Sequence, residues 1–228
     1  MTQPYPPLIF TISKLFKKHY GLPRLSNKKN PLDELIFILL TLRTHETNYS
    51  STYKNIRNRY YPWSKLVNAK TTDISKSITS GGLGKQKAQR LKQTINIISN
   101  DCGKVSLNFL KKLDTKKCES YLTLLPGVGI KTARCILLYS LNRPVFPVDI
   151  NTMRILKRLG IIDKTLDYKR DKAHNIIQSM IPHRLRYQLH VGLVVHGRKY
   201  CLPKNPKCKD CFVVNYCSSG KSQLGTKR

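Results

Sequence analysis

Four cysteines near the C-terminus have the residue type and the spacing of a metal centre. They follow the pattern C-x6-C-x2-C-x5-C and comprise Cys201, Cys208, Cys211 and Cys217. Thiolates are the ligands that soft iron and zinc sites prefer. Four-cysteine zinc sites usually pair two short Cys-x-x-Cys units across a longer gap, and this sequence has one such unit. The compact, unequal spacing favours a [4Fe–4S] cluster and leaves zinc as the alternative.

The stretch 124–133, which reads LLPGVGIKTA, is a second candidate site. Proline interrupts one helix, the two glycines permit a tight turn, and a new helix is predicted to begin near Ile130. Free backbone N–H groups at the start of that helix suit a phosphate of a nucleic-acid backbone. The residues predicted to make this contact are Pro126, Gly127, Val128 and Gly129. An ordinary turn between two helices is the alternative.

Lys131 and Asp149 are candidates for covalent chemistry. Lys131 falls in the first turn of the predicted helix, where the helix dipole favours the neutral, nucleophilic amine over the ammonium ion. The alternative is a lysine that binds phosphate without reacting. Asp149 lies eighteen residues further on and could simply cap its own helix. Beside Lys131, its carboxylate could accept a proton or stabilise positive charge that grows on a substrate.

The elements that position these residues are predicted to be helices. Asn30 and Pro31 have the residue types of an N-cap and a first helical position, and a largely apolar run follows over 35–42. Further helices are predicted at 85–100, 116–124, 130–141, 149–159, 168–180 and 184–197. The one β-branched patch contains Pro147 and predicts a connector, so the fold class is all-α. From Ser218 onward, a polar, disordered tail is expected over 218–228.

The chain carries a large excess of positive charge. Its 228 residues include 42 Lys and Arg against 12 Asp and Glu, which gives a formal net charge of +30. This favours a polyanionic partner, with nucleic acid ahead of an anionic membrane, although an AT-rich genome would also raise the lysine content. The sequence has no long apolar run and no secretory leader pattern, so an intracellular protein without a membrane span is expected. In that compartment, seven cysteines favour metal ligation or inert thiols over disulfides.

Taken together, the strings LPGVGIKTA, VDINTMR and HGRKYC, with the cysteines that follow, resemble endonuclease III of the helix-hairpin-helix DNA glycosylase superfamily. The resemblance covers roughly residues 30 to 217. It implies two helical domains with a DNA-binding cleft between them. One is a six-helix domain over 31–143 that carries the hairpin. The other, built from 1–30 and 144–228, holds a [4Fe–4S] cluster.

The resemblance also implies a base-excision repair enzyme that removes damaged bases, here oxidised pyrimidines, from double-stranded DNA. Lys131 occupies the position of the nucleophile that attacks C1′, and Asp149 that of the catalytic aspartate. β-Elimination from the resulting Schiff base would nick the strand, which is AP lyase activity. The cluster would fix a loop whose Lys204 and Lys207 meet phosphates. The enzyme is expected to act as a monomer and to lie with the DNA, in the cytoplasm and nucleoid of a prokaryote or the nucleus of a eukaryote.

The segment 81–88, GGLGKQKA, resembles the family's wedge loop, in which Leu83 would fill the gap left by an extruded nucleotide. The alternative is a turn whose leucine packs inward. Two positions depart from the family pattern: Arg43 stands where glutamine is frequent, and Asn151 where histidine is frequent. Both bear on substrate preference. His45 either lies near the pocket or is structural.

Two other functions stay open at this point. One is a monofunctional glycosylase for mismatched or alkylated bases, whose members generally lack a lysine at the position of Lys131. The other is an iron–sulfur protein that binds DNA without cutting it. The joint presence of Lys131 and Asp149 argues against this second function.

Overall fold

The structure is a computed structural model that describes residues 5–23, 25–42, 46–78, 83–169 and 171–225. Within these ranges the chain is helical and has no β-strand, so the predicted all-α class is confirmed. The α-helices are α1 (Pro7–Tyr20), α2 (Pro31–Thr41), α3 (Tyr49–Tyr60), α4 (Lys65–Asn68), α5 (Thr71–Ser77), α6 (Gly84–Cys102), α7 (Thr115–Leu124), α8 (Ile130–Ser140), α9 (Ile150–Leu159), α10 (Asp171–Ser179), α11 (Arg186–Lys199) and α12 (Ser218–Gln223). None of these described helices is both long and apolar enough to cross a membrane.

The chain divides into two compact units by its internal contacts. The first, here called the cysteine unit, consists of Met1–Leu25 and Pro144–Arg228. The second, here called the hairpin unit, is the continuous segment Ser26–Arg143. Lys131 belongs to the hairpin unit, whereas Asp149 and the four C-terminal cysteines belong to the cysteine unit.

In the hairpin unit, α2 is the central helix. The Asn30 side chain caps it by accepting hydrogen bonds from the N–H groups of Leu32 and Asp33, and Pro31 is its first residue. The residues from Leu35 to Leu40 are all buried, because α3, α6 and α8 pack around this helix. A helix that is apolar on every side is stable only in such a position. The capping signal and the apolar run therefore both predicted this element correctly.

In the cysteine unit, α1 packs against α11, and α9 packs against the same helix. The buried core includes Ile9, Ile12, Phe16, Phe146 and Leu193. Gly192 lies so close to α1 that a Cβ atom there would be 2.5 Å from a ring carbon of Phe16, a separation that real Cβ atoms essentially never show. This packing fixes the start of α9 and the end of α11, which lead to Asp149 and to the cysteine loop.

The predicted disordered tail is wrong for Ser218–Gln223, which form α12. The Cys217 sulfur accepts a hydrogen bond from the N–H of Gly220 at 3.3 Å and so caps this helix. The hydroxyl of Ser218 donates to the carbonyl of Leu159 at 3.4 Å. Polar composition alone suggested disorder, because the partner on α9 is far away in the sequence.

Candidate active site and cysteine-lined cavity

A tight turn joins α7 to α8 at the predicted position. The N–H of Val128 donates to the carbonyl of Leu125 at 3.0 Å, and Gly127 has a φ of +80°. That conformation favours glycine, since a Cβ atom makes it costly. Gly129, with extended backbone, is the N-cap of α8. As at any helix start, the first N–H groups of α8 have no partner within the helix.

Helices α7 and α8 are joined by an ion pair that the sequence analysis did not identify. Arg134 is 2 % exposed, and its guanidinium donates to both carboxylate oxygens of Glu119, at 2.8 and 3.3 Å. This two-point contact fixes the angle between the helices that flank the turn. Lys131, half-buried in the first turn of α8, takes its position from the same pair of helices.

Asp149 is the N-cap of α9. Its Oδ1 accepts a hydrogen bond from the N–H of Thr152 at 2.7 Å, so the capping role considered from the sequence is present. Asn151, one of the two departures from the family pattern, accepts a hydrogen bond from Arg154 at 2.8 Å. Arg154 also donates to the carbonyl of Cys201, at 2.8 and 3.0 Å. The beginning of α9 is thereby tied to the loop that carries the cysteines.

Leu83 is the N-cap of α6 and lies in the left-handed region, with φ of 52° and ψ of 33°. This conformation is unusual for a bulky residue, and the side chain is 47 % exposed. The leucine is therefore not packed inward, which was the alternative to a wedge. Arg43 and His45 lie outside the described residues, as do the two glycines at 81 and 82.

One cavity in the cysteine unit is bordered by all four predicted ligands, Cys201, Cys208, Cys211 and Cys217. None of the four is in a disulfide. The guanidinium of Arg158 donates to the Cys201 sulfur at 3.2 Å and to the carbonyl of Leu202 at 2.7 Å.

Electrostatic conditions around this cavity disfavour isolated thiolates. Burial raises the pKa of Cys211 to about 11, and the neighbouring thiols add to the shift. His196 lies 3.6 Å from the Cys211 sulfur, and its Nδ1 is 2.9 Å from the hydroxyl of Tyr20. Burial lowers the pKa of His196 to about 4, so this imidazole is neutral at pH 7. Lys204 and Lys207 are exposed on the loop that precedes Cys208.

Comparison with known proteins decides the family. Residues 37–182 match the HhH-GPD superfamily of base excision DNA repair proteins. The chain belongs to this superfamily. It is 32 % identical to a protein of Arabidopsis thaliana named as a DNA glycosylase, over 84 % of this chain and 68 % of the relative. It is 29 % identical to endonuclease III of Thermotoga maritima, over 86 % of each chain.

The fold is also similar to that of endonuclease III. A solved structure of a trapped endonuclease III–DNA covalent intermediate superposes with a TM-score of 0.81 and 21 % identity, over 95 % of this chain and 97 % of the other. The resemblance seen in the motifs is confirmed: the protein is an endonuclease III-like DNA glycosylase of base excision repair. The segment that matches the superfamily, residues 37–182, includes the hairpin, Leu83, Lys131 and Asp149. The four cysteines fall beyond it.

A buried carboxylate near Lys131 was missed by the sequence analysis. Glu34 on α2 is fully buried, although acidic residues in a first helical turn are usually exposed. Its two oxygens accept hydrogen bonds from the Asn27 side chain at 2.5 Å and from the N–H of Lys28 at 2.6 Å. Lys131 is among the cations that interact with it electrostatically. The one available signal was its position directly before the wholly buried run of α2.

The pH dependence of stability is expected to report on Glu34. Burial raises its pKa, an effect larger than that of the hydrogen bonds and cations that oppose it. An acid whose folded pKa is raised stabilises the fold below its unfolded pKa, about 4.3, and loses this contribution as pH rises through the folded pKa. The stability of the wild type relative to Glu34→Gln should therefore fall as pH rises. Urea unfolding of both proteins at a series of pH values measures this difference. A wild type that gains stability relative to Glu34→Gln as pH rises would contradict the raised pKa of Glu34.

Proposed function

We propose that this glycosylase is bifunctional and removes oxidised pyrimidines from double-stranded DNA with an accompanying AP lyase step. The observation that carries the proposal is the place of Lys131, in the first turn of α8 directly after the Gly127–Gly129 turn. An amine at a helix start, next to N–H groups suited to a phosphate, can meet the sugar of a nucleotide whose backbone the turn holds.

The chemistry assigns one role to each group. The neutral amine of Lys131 attacks C1′ of the damaged nucleotide, and the bond from C1′ to the base breaks. The base leaves with the electron pair, and the carboxylate of Asp149 stabilises the positive charge that develops on the sugar. A proton of the attached nitrogen passes to the ring oxygen, whose bond to C1′ breaks, so the sugar ring opens and a protonated Schiff base forms. Loss of a C2′ proton then expels the 3′ phosphate and nicks the strand.

Leu83 would act before this chemistry. Excision requires the nucleotide to leave the base stack, and an apolar side chain in the gap lowers the cost of that step. Its exposure and its place at the start of α6 support this role. On the cysteine unit, Lys204 and Lys207 would contact phosphates from the loop before Cys208.

A lesion panel tests the proposed function. Duplexes that contain an oxidised pyrimidine, an alkylated purine, a G·T mismatch or an abasic site are incubated with the protein, with and without borohydride. We expect excision and nicking of the first duplex, and a covalent complex with the first and last. Excision of the mismatch or the alkylated purine without any trapped complex would establish the monofunctional alternative. An abasic duplex left intact would indicate a protein that binds without cutting.

We also propose that Cys201, Cys208, Cys211 and Cys217 hold a [4Fe–4S] cluster. Four cysteines border one cavity, and burial raises the pKa of three of the thiols, so a bound cationic group would be needed to hold them as thiolates. The donors from Arg158 and from the N–H of Gly220 fit thiolate sulfurs that carry negative charge. When bound, the cluster would supply iron–sulfur bonds that order the loop, and no electron transfer is required.

The protein purified without air is expected to be brown, with broad absorption near ~400 nm and about four iron atoms per chain. Cys208→Ser should lose most of this iron together with DNA affinity, because the loop is ordered by the metal. Cys102→Ser is the matched control, since Cys102 lies in the hairpin unit at the end of α6. It should keep both properties. Stoichiometric zinc without iron in the wild type would contradict the cluster.

A further inference from the structure

Helix α6 leads from the predicted wedge to the predicted phosphate site, and both lie in the hairpin unit. The helix begins directly after Leu83. Further along, the hydroxyl of Thr94 donates to the carbonyl of Pro126 in the turn, at 3.4 Å. The same face of α6 also carries Arg90, one turn before Thr94. The side chain of Arg90 is thus directed toward the turn.

Arg90 contacts the turn at its left-handed glycine. A Cβ atom on Gly127 would lie 3.1 Å from Cδ of Arg90 and 3.8 Å from its Nε. The aliphatic part of the arginine therefore rests on the turn backbone, while the residue as a whole is exposed. Among the described residues no carboxylate forms an ion pair with Arg90. Its positive charge is available to an external anion.

The spacing along α6 suits a duplex. Leu83 and Arg90 are seven residues apart, which is about two helical turns and about 10 Å, so they lie on nearly the same side of the helix axis. Phosphates along one strand of B-DNA advance by about 3.4 Å per base step, so the two positions span about three steps. This spacing is compatible with a contact between Arg90 and the backbone about three steps from the gap that Leu83 would fill.

We propose that Arg90 is a DNA-binding residue whose guanidinium holds a backbone phosphate next to the one held by the Gly127–Gly129 turn. The inference rests on the proposed function, because it takes the turn as the phosphate site. It adds a side-chain cation to a site built from backbone N–H groups. Arginine suits this position, since its planar group can donate two parallel hydrogen bonds to one phosphate.

The test is the salt dependence of binding to an undamaged duplex, followed by fluorescence anisotropy in increasing KCl. Each lost phosphate contact lowers the slope of log affinity against log salt by about 0.9. Arg90→Gln should lose about this much slope and bind about tenfold more weakly at low salt. Lys116→Gln, an exposed cation at the far end of α7, should match the wild type.

Arg90→Lys separates charge from packing. It keeps the cation and a similar aliphatic stem, so its slope should match the wild type. An Arg90→Gln slope equal to that of the wild type would overturn the inference, and so would an Arg90→Lys slope as low as that of Arg90→Gln. The proposed function has its own test, because base excision and trapping are measured on the wild type alone. A wild type that excises and traps, with Arg90→Gln unchanged in binding, would remove the role of Arg90 only.

Discussion

Lys131→Gln is expected to lower the rates of base excision and strand cleavage by orders of magnitude, while binding to damaged DNA is retained. Glutamine keeps much of the length and polarity of lysine but has no nucleophilic amine. The fold should tolerate the change, because the ion pair of Arg134 with Glu119 holds α7 and α8 together independently of Lys131. The measurements are single-turnover excision of the damaged base, nicking of an abasic duplex, and borohydride trapping.

The decisive outcome is the covalent complex. Wild type should be trapped on abasic DNA, and Lys131→Gln should give no trapped complex. Lys116→Gln removes an exposed lysine from the same unit and should be trapped as the wild type is. A cross-link formed by Lys131→Gln at the wild-type yield would place the nucleophile on another residue and remove the proposed mechanism.

Asp149→Asn should separate the two chemical steps. Asparagine is as good an N-cap as aspartate, so the hydrogen bond to the N–H of Thr152 and the start of α9 are expected to persist. Only the charge is lost. Excision of an intact damaged base should slow by about 10²–10³, because the carboxylate stabilises the cationic sugar in that step. An abasic substrate should still be trapped and slowly nicked, since the amine of Lys131 remains.

A second substitution tests whether loss of the charge alone produces this pattern. Asp149→Ser also caps a helix and carries no charge, so it should reproduce the pattern of Asp149→Asn. Thermal unfolding of both variants should stay close to the wild type. Equal losses on the damaged and the abasic substrates would contradict the role assigned to Asp149. The abasic duplex has no base to remove, so a residue that acts in base departure should have little effect on it.

Local signals account for the parts of the molecule that could be predicted from the sequence. The cap at Asn30 and the glycines of the turn act through neighbouring residues, so their types predict helix α2 and the break between α7 and α8. The spacing of the four cysteines placed them together, and one cavity does have all four on its border. In each case, the residues that determine the structure lie within a few positions of one another.

The features that could not be predicted depend on contacts between distant segments. Burial of Glu34 requires the packing of three helices around α2, and its sequence neighbours give only a partial sign of it. The approach of Arg90 to Gly127 joins residues 37 positions apart. Helix α12 depends on Leu159, which lies 59 positions before Ser218. No periodicity or composition within a short window carries such information.

The discontinuous cysteine unit has a consequence for synthesis of the chain. The hairpin unit is one continuous segment and can begin to fold as soon as the ribosome has released it. Helix α1 emerges before the hairpin unit, yet its main partner, α11, is made more than 160 residues later. Until then the apolar face of α1, which includes Ile9, Ile12 and Phe16, has no α11 to cover it. A nascent chain halted before α11 would therefore expose that face to chaperones and proteases, so stalled translation products should be cleared selectively.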